Sequence, residues 1–220
     1  MSSHDHFSDR REAGRLLGNA LARCKLDNPV VLALPRGGVP VGYEVARQLG
    51  APLDILLVRK IGAPGHEEYG IGALVDGASP QVVIDETTAR MVGADKPYID
   101  RIVARELAEL ERRRAAYRTN PPEQLAGRTI VIVDDGIATG GTVKAALKGL
   151  AQAGAARMVL AVPVAPADTL RELGPLCDEV VCLLTPAPFY AVGAHYREFS
   201  QTTDEEVVRL LADAARVPPS

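Results

Sequence analysis

The residues with the strongest chemical pattern form one run, Ile130-Val-Ile-Val-Asp-Asp-Gly-Ile-Ala-Thr-Gly-Gly-Thr142. Its four apolar residues predict a buried strand. Two carboxylates, Asp134 and Asp135, stand at the C-terminal end of that strand, where open α/β sheets bind ligands. Ala138, Thr139, Gly140, Gly141 and Thr142 then lead into the start of a helix. Such a turn can aim several backbone N–H groups at one phosphate, and the helix N-terminus adds a favourable dipole. Thr139 and Thr142 add hydroxyl donors, and the glycines let backbone approach without a Cβ in the way. The carboxylates would repel a bare phosphate, so they are expected to face ribose hydroxyls or a bound Mg2+. A diol beside a monophosphate is the chemistry of a sugar 5-phosphate. A plain strand–turn–helix junction with a capping aspartate accounts for two acids near two glycines, but not for the whole pattern.

The elements around this run alternate. Ser8–Leu21 reads as an amphipathic helix capped by Ser8 or Asp9. Pro29–Leu34 and Leu53–Val58 are continuous apolar runs, which suits strands buried on both faces, with a helix over Val41–Leu49 between them. Ile61–Gly72 is polar, rich in glycine and without helical period, and is expected to be a mobile loop. Ile71–Val75 and Gln81–Ile84 read as a hairpin turning at Asp76-Gly77. Pro97–Tyr117 has a helical apolar period through Ile99, Ile102, Val103, Leu107, Leu110 and Tyr117. Strands over Thr129–Val133, Met158–Val164 and Val180–Leu184 alternate with helices over Thr142–Ala153 and Ala167–Leu173. Pro186–Thr203 reads as irregular and Glu205–Ala214 as a closing helix. This rhythm predicts an α/β protein with a doubly wound, mainly parallel sheet.

Two short segments share the placement of the acidic pair. Pro35-Arg36-Gly37-Gly38 follows the first strand, and Arg59-Lys60 ends the second. Alone, the first is a turn and the second a solvated pair. Both stand at C-terminal strand ends, before a complete phosphate turn, and so read as part of one site. His66, Glu67, Glu68 and Tyr69 read as loop surface, and Arg112-Arg113-Arg114 as a solvated helix face paired with Glu106, Glu109 and Glu111. Phe189, Tyr190 and His195 suit a stacking role or a place in the core.

Composition excludes more than it assigns. The chain has 220 residues, 47% of them hydrophobic, which is enough for a sizeable core in a single domain. A net charge of −3 with no concentrated basic half argues against nucleic-acid binding. Cys24, Cys177 and Cys182 have neither zinc spacing nor a CxxC pair, and read as free thiols in a reducing compartment. No apolar leader and no membrane-length run is visible, which predicts a cytoplasmic protein without a membrane partner. GxGxxG after the first strand, GxxxxGK[ST], GxSxG and HExxH are all absent.

The Ile130–Thr142 run resembles the ribose-phosphate signature of type I phosphoribosyltransferases, and the resemblance extends over most of Pro29–Val164. It implies that fold, with a core over about 29–185, a helical insertion over about 86–122 and a C-terminal hood over about 186–204 that reads the accepting base. Pro35–Gly38 resembles the family's pyrophosphate loop, which often contains an unusual cis peptide. Arg59-Lys60 resembles its basic pair, and Ile61–Gly72 falls where the family has a closing loop. The resemblance therefore implies transfer of phosphoribosyl from 5-phosphoribosyl 1-pyrophosphate to a nitrogenous base or amine, with Mg2+. Arg36, Lys60, Asp134 and Asp135 would be catalytic, the acidic pair holding ribose hydroxyls and the metal directly or through water. Gly37, Gly38, Arg59, Ala138, Thr139, Gly140, Gly141 and Thr142 would bind substrate. Hypoxanthine- and guanine-type enzymes have an acid where this chain has Ala138, so no general base comes from that position; Glu67 or Glu68 is the substitute. The acceptor is left open. A non-catalytic ligand-binding regulator, or a different phosphoribosyl chemistry such as hydrolysis or phosphate transfer, is the alternative. The family's dimers, and the apolar stripe of Pro97–Tyr117, raise a homodimer as one partner for that helix, the other being the chain's own hairpin.

Overall fold

The computed structural model describes residues 6–77, 80–117 and 121–216. Five parallel strands form the main sheet in the order β2-β1-β6-β7-β8: β1 (Pro29–Ala33), β2 (Leu53–Ile55), β6 (Thr129–Val133), β7 (Arg157–Val164) and β8 (Glu179–Leu184). The strand β6 is central and wholly buried. Its side chains alternate, so Val131 and Val133 join one apolar cluster and Ile130 and Ile132 the other. α1 (Arg10–Leu21) and α2 (Gly38–Leu49) cover the first face through Leu17, Leu21, Val41 and Val45. α5 (Gly141–Leu150) covers the second through Val143, Ala146, Leu147 and Leu150, with Leu170 and Leu173 of α6 (Ala167–Leu173) beside it. Local chemistry sets the helix ends. Asp9 caps α1 by accepting from the Glu12 N–H, and Thr203 caps α7 (Asp204–Ala215) by accepting from the Glu206 N–H. The doubly wound parallel sheet is the fold predicted from the sequence.

A second, antiparallel sheet holds β3 (Val58–Ala63), β4 (His66–Val75) and β5 (Gln81–Ile84). Two expectations are corrected here. The run Leu53–Val58 is not one strand: the parallel strand ends at Ile55, and Arg59 and Lys60 lie in β3 of the other sheet. Ile61–Gly72 is not an open loop either. It is strand, two-residue turn and strand, with Val58 opposite Val75, Lys60 opposite Ala73 and Ala63 opposite His66. A Cβ on Gly62 would lie 2.4 Å from the Glu67 carbonyl oxygen, so glycine here serves close strand packing at a bulge. The predicted β4–β5 pairing is present; residues 78 and 79 of its connection lie outside the described residues.

The insertion comprises α3 (Glu86–Met91) and α4 (Lys96–Tyr117). Ile102 packs with Ile61, Ala63 and Ile71 of the hairpin. Leu110 and Tyr117 pack with Val39, Leu57, Leu74 and, on α7, Val207 and Leu210. The buried part of the apolar stripe is therefore covered by its own chain, and no second subunit is needed to cover it. Polar links reinforce the packing: the Tyr98 hydroxyl donates to the Gly62 carbonyl at 2.9 Å, and Arg105 pairs with Glu67. Segment 186–203 is mostly irregular, as expected, with a short 3-10 turn at Val192–His195. The Phe7 N–H donates to the His195 carbonyl, and the Arg197 and Glu198 N–H groups donate to the carbonyls of Phe7 and Ser8. Among the described residues, no helix is long and apolar enough to cross a membrane.

Candidate active site

Two loops meet where β1 and β6 end. The Leu34 N–H donates to the Val133 carbonyl at 2.9 Å, which carries the first loop onto the end of β6. The Pro35–Arg36 peptide that follows is cis. A Cβ on Gly37 would fall 2.1 Å from Asp135 Oδ2, so glycine alone lets this loop lie against the acidic pair. Gly38 packs closely on the Asp134 backbone, its own added Cβ falling 3.0 Å from the Asp134 Cα. The predicted Pro35–Gly38 and Asp134–Thr142 segments are thus brought into direct contact.

The two carboxylates differ in environment. Asp134 accepts the Asp135 N–H at 2.8 Å, and burial pushes its carboxyl well above the usual carboxylate range, with the Asp135 charge adding to the effect. Burial also raises Asp135, but Arg10 opposes it: the Arg10 Nε donates to Asp135 Oδ2 at 2.8 Å. That ion pair is nearly sealed, with the two side chains 12% and 15% exposed. Arg10 also donates to the Ser200 carbonyl at 2.6 Å, and its guanidinium lies 3.9 Å from the Phe199 ring centroid. Tyr196 completes the arrangement by donating its hydroxyl to the Asp135 carbonyl at 2.5 Å. Arg10, Tyr196, Phe199 and Ser200 were not legible as site residues. Arg10 lies 125 positions from its partner, inside what reads as an ordinary amphipathic helix.

The Ala138–Thr142 side of the turn is held from behind. The Ile137 N–H donates to the Val164 carbonyl, and the Thr169 hydroxyl donates to the Ala138 carbonyl at 2.9 Å. Gly140 has φ 75°, in the left-handed region, and lies buried against Thr169. Ala138, Thr139, Gly141 and Thr142 face solvent at the start of α5, where first-turn N–H groups have no partner within their helix. The turn can therefore offer backbone donors and two hydroxyls to an anion.

The basic residues are split. Neighbours on a strand point to opposite faces. Arg59 faces α4 and pairs with the buried Glu106 at 2.7 Å, whereas the exposed Lys60 lies on the other face. Arg36 is 40% exposed, its Nη1 3.6 Å from Asp204 of α7. Glu67 is paired with Arg105, and the side chain of Glu68 lies outside the described residues. In the segment 186–203, Phe189 stacks on His195 at 5.6 Å, while Tyr190 is exposed. Among the described residues no three His, Cys, Asp or Glu side chains converge as a metal cage. The acidic pair instead suits Mg2+, which keeps waters and takes one or two carboxylates plus substrate phosphate oxygens. Two adjacent carboxylates, both pushed upward by burial, are a donor set that a cation would relieve.

Comparison with known proteins agrees with this fold. The crystal structure of TT1426 from Thermus thermophilus matches with a TM-score of 0.85 at 46% identity, covering 94% of this chain and 98% of that one. Two Mycobacterium tuberculosis sequences, from strains CDC 1551 and H37Rv and each named "putative phosphoribosyl transferase", are 47% identical over 211 residues. Those matches cover 96% of this chain and 47% of each relative, so the chain spans about half the length of the curated relatives it matches. The family model described as "Phosphoribosyl transferase domain" matches residues 7–189, and the chain belongs to that family.

Proposed function

We infer that this chain transfers a phosphoribosyl group from 5-phosphoribosyl 1-pyrophosphate to a nitrogenous base or amine. The observation that carries the reading is the contact between the Gly37 loop and the acidic pair at Asp135, beside a turn whose Ala138, Thr139, Gly141 and Thr142 face solvent. In this reading the Ala138–Thr142 turn binds the 5-phosphate through backbone N–H groups, Thr139 and Thr142. Asp134 and Asp135 hold the ribose hydroxyls. The Pro35–Gly38 loop, with Arg36, receives the leaving pyrophosphate, and Lys60 adds positive charge from the second sheet, whereas Arg59, expected to bind substrate, is turned to Glu106 of α4. Asp134 and Asp135 would hold Mg2+, directly or through water, and the ion would supply charge neutralisation for the leaving group. The residues' main task is to position the reacting ribose and stabilise charge that develops as pyrophosphate departs. Ala138 cannot act as a base, so the acceptor's proton leaves by another route.

The test is a thermal-shift screen with Mg2+ against phosphoribosyl pyrophosphate, ribose 5-phosphate and a panel of nucleotides. A ligand that binds the folded state raises the melting temperature by mass action. Phosphoribosyl pyrophosphate and ribose 5-phosphate should both raise it. Failure of both would contradict the reading. A second reading, ligand binding without transfer, is favoured by one observation: Asp135 is already paired with Arg10. Mg2+-dependent release of pyrophosphate with any base or amine would remove that second reading.

A further inference from the structure

Three consecutive arginines on α4, expected to form one solvated face, are separated in the structure. Arg114 turns to the buried Asp76 and the Gly77 carbonyl. Arg112 and Arg113 stay on the solvated face, 69% and 45% exposed and paired with Glu109 as expected, and they line an open cavity of about 270 Å³ with Pro35, Arg36, Tyr117 and Asp204. At about 30 Å³ per water, that space holds a group the size of several waters.

The two arginines are held in place by one carboxylate. Arg112 donates Nε and Nη2 to Glu109 at 2.8 and 2.9 Å, and Arg113 donates Nε to the same group at 3.0 Å. These bonds hold the Glu109 carboxyl at a pKa of about 2, so it stays ionised at any physiological pH. A guanidinium has five N–H donors. Glu109 engages Nε and Nη2 of Arg112 and Nε of Arg113, so the other ends of both forks can meet a second acceptor. Orientation set in advance lowers the entropy lost when an anion binds. Counter-charge is present too. Asp204 faces the cavity, accepts the Tyr117 hydroxyl at 2.6 Å and lies 3.6 Å from Arg36. Three cations against two carboxylates leave the cavity positive, and its donors suit an anion with several acceptor oxygens.

We propose that this cavity is a second anion site, taking a phosphate or pyrophosphate group beside the Pro35–Gly38 loop and sharing Arg36 with it. It rests on the phosphoribosyl reading only for the natural source of that group. Because Arg36 belongs to both places, an anion held by Arg112 and Arg113 competes for it with a leaving group in the acidic-pair site.

The test is calorimetric titration of the full chain with pyrophosphate, inorganic phosphate and ribose 5-phosphate, for wild type and an Arg112→Gln/Arg113→Gln variant. Pyrophosphate affinity should fall roughly tenfold or more in the variant, the scale of losing charge-assisted hydrogen bonds. Ribose 5-phosphate affinity should be unchanged, which also reports an intact fold. If the double variant melts early, Arg112→Gln alone, at a side chain 69% exposed, replaces it under the same criterion. A larger loss for pyrophosphate than for inorganic phosphate in the variant assigns the leaving group as the source; equal losses assign a single phosphate group. Equal pyrophosphate affinity in wild type and variant overturns the proposal, as does a wild type that binds no pyrophosphate. Failure of the wild type to bind ribose 5-phosphate counts instead against the phosphoribosyl reading.

Discussion

The turn at Asp134–Thr142 and the hairpin formed by β3 and β4 are both rich in glycine, and they use it for different purposes. In the turn, glycine provides a left-handed bend at Gly140 and, across from it, room at Gly37 for a second loop to touch the half-buried Asp135 carboxylate. In the hairpin, Gly62 lets one strand lie on the other, and side chains of α4 then fix the pair in place. The turn also concentrates charge that burial disfavours, whereas the buried charge packed on the hairpin, Glu106 of α4, has Arg59 and Arg105 on it. Substitutions in the turn should therefore cost function, and those in the hairpin should cost stability.

The largest effect is expected at the acidic pair. Asp134→Asn with Asp135→Asn should lower turnover by about 10³-fold, the scale of losing preorganised electrostatic groups in a site. Steady-state kinetics with phosphoribosyl pyrophosphate would check it, and a loss smaller than about tenfold would mean that the pair is not in the site. Next is the brace of the hairpin. Glu106→Gln leaves Arg59 without its carboxylate and should cost about 3 kcal/mol of stability. Denaturant unfolding measures this, and hydrogen exchange should show β3 and β4 protected before ligand is added and exposed in the variant. Fast exchange of the wild-type hairpin would restore the mobile-loop reading.

Arg10→Ala comes third. It should weaken ribose 5-phosphate binding about tenfold by freeing Asp135 from its fixed orientation, an effect of about 1.4 kcal/mol. Arg10→Lys should restore part of it, since one charge and one donor remain. The smallest effect concerns Asp134 alone. Its folded-state carboxyl titrates above the unfolded value of about 3.9. The folded state therefore holds the proton at pH values where the unfolded state has lost it. Stability from this group is complete below the unfolded value and lost as pH rises through the folded one. Asp134→Asn removes that loss and should stabilise the empty protein by about 1 kcal/mol at neutral pH. The gain over wild type, read from melting curves, should vanish as pH falls below about 3.9.

The sequence was most legible where local chemistry and fold agree. The run from Ile130 to Thr142 carries strand, acids and glycine-rich turn in contiguous residues, so reading it needs no tertiary information. Continuous apolar runs likewise marked β1, β6, β7 and β8 of the parallel sheet. Leu53–Val58 misled because one apolar stretch serves two sheets, and apolarity does not mark the crossing at Leu56-Leu57. Ile61–Gly72 misled because its glycines permit close packing as readily as motion. Arg10 was invisible because its meaning comes from partners at Asp135 and Ser200. The apolar stripe of α4 was visible, but the surface covering it depends on how α7 and the hairpin meet, which no local pattern records.

The most direct measurement is calorimetric titration of phosphoribosyl pyrophosphate with Mg2+ into the wild type, and into Thr139→Val and Asp135→Asn variants. Thr139 lies in the exposed turn and Asp135 in the half-buried acidic pair. Thr139→Val should weaken ribose 5-phosphate and phosphoribosyl pyrophosphate alike, whereas Asp135→Asn should remove the Mg2+-dependent part of the affinity. Wild-type affinity no greater for phosphoribosyl pyrophosphate than for an unrelated sugar phosphate, with both variants binding as the wild type does, would contradict the assignment of this turn as the phosphoribosyl site.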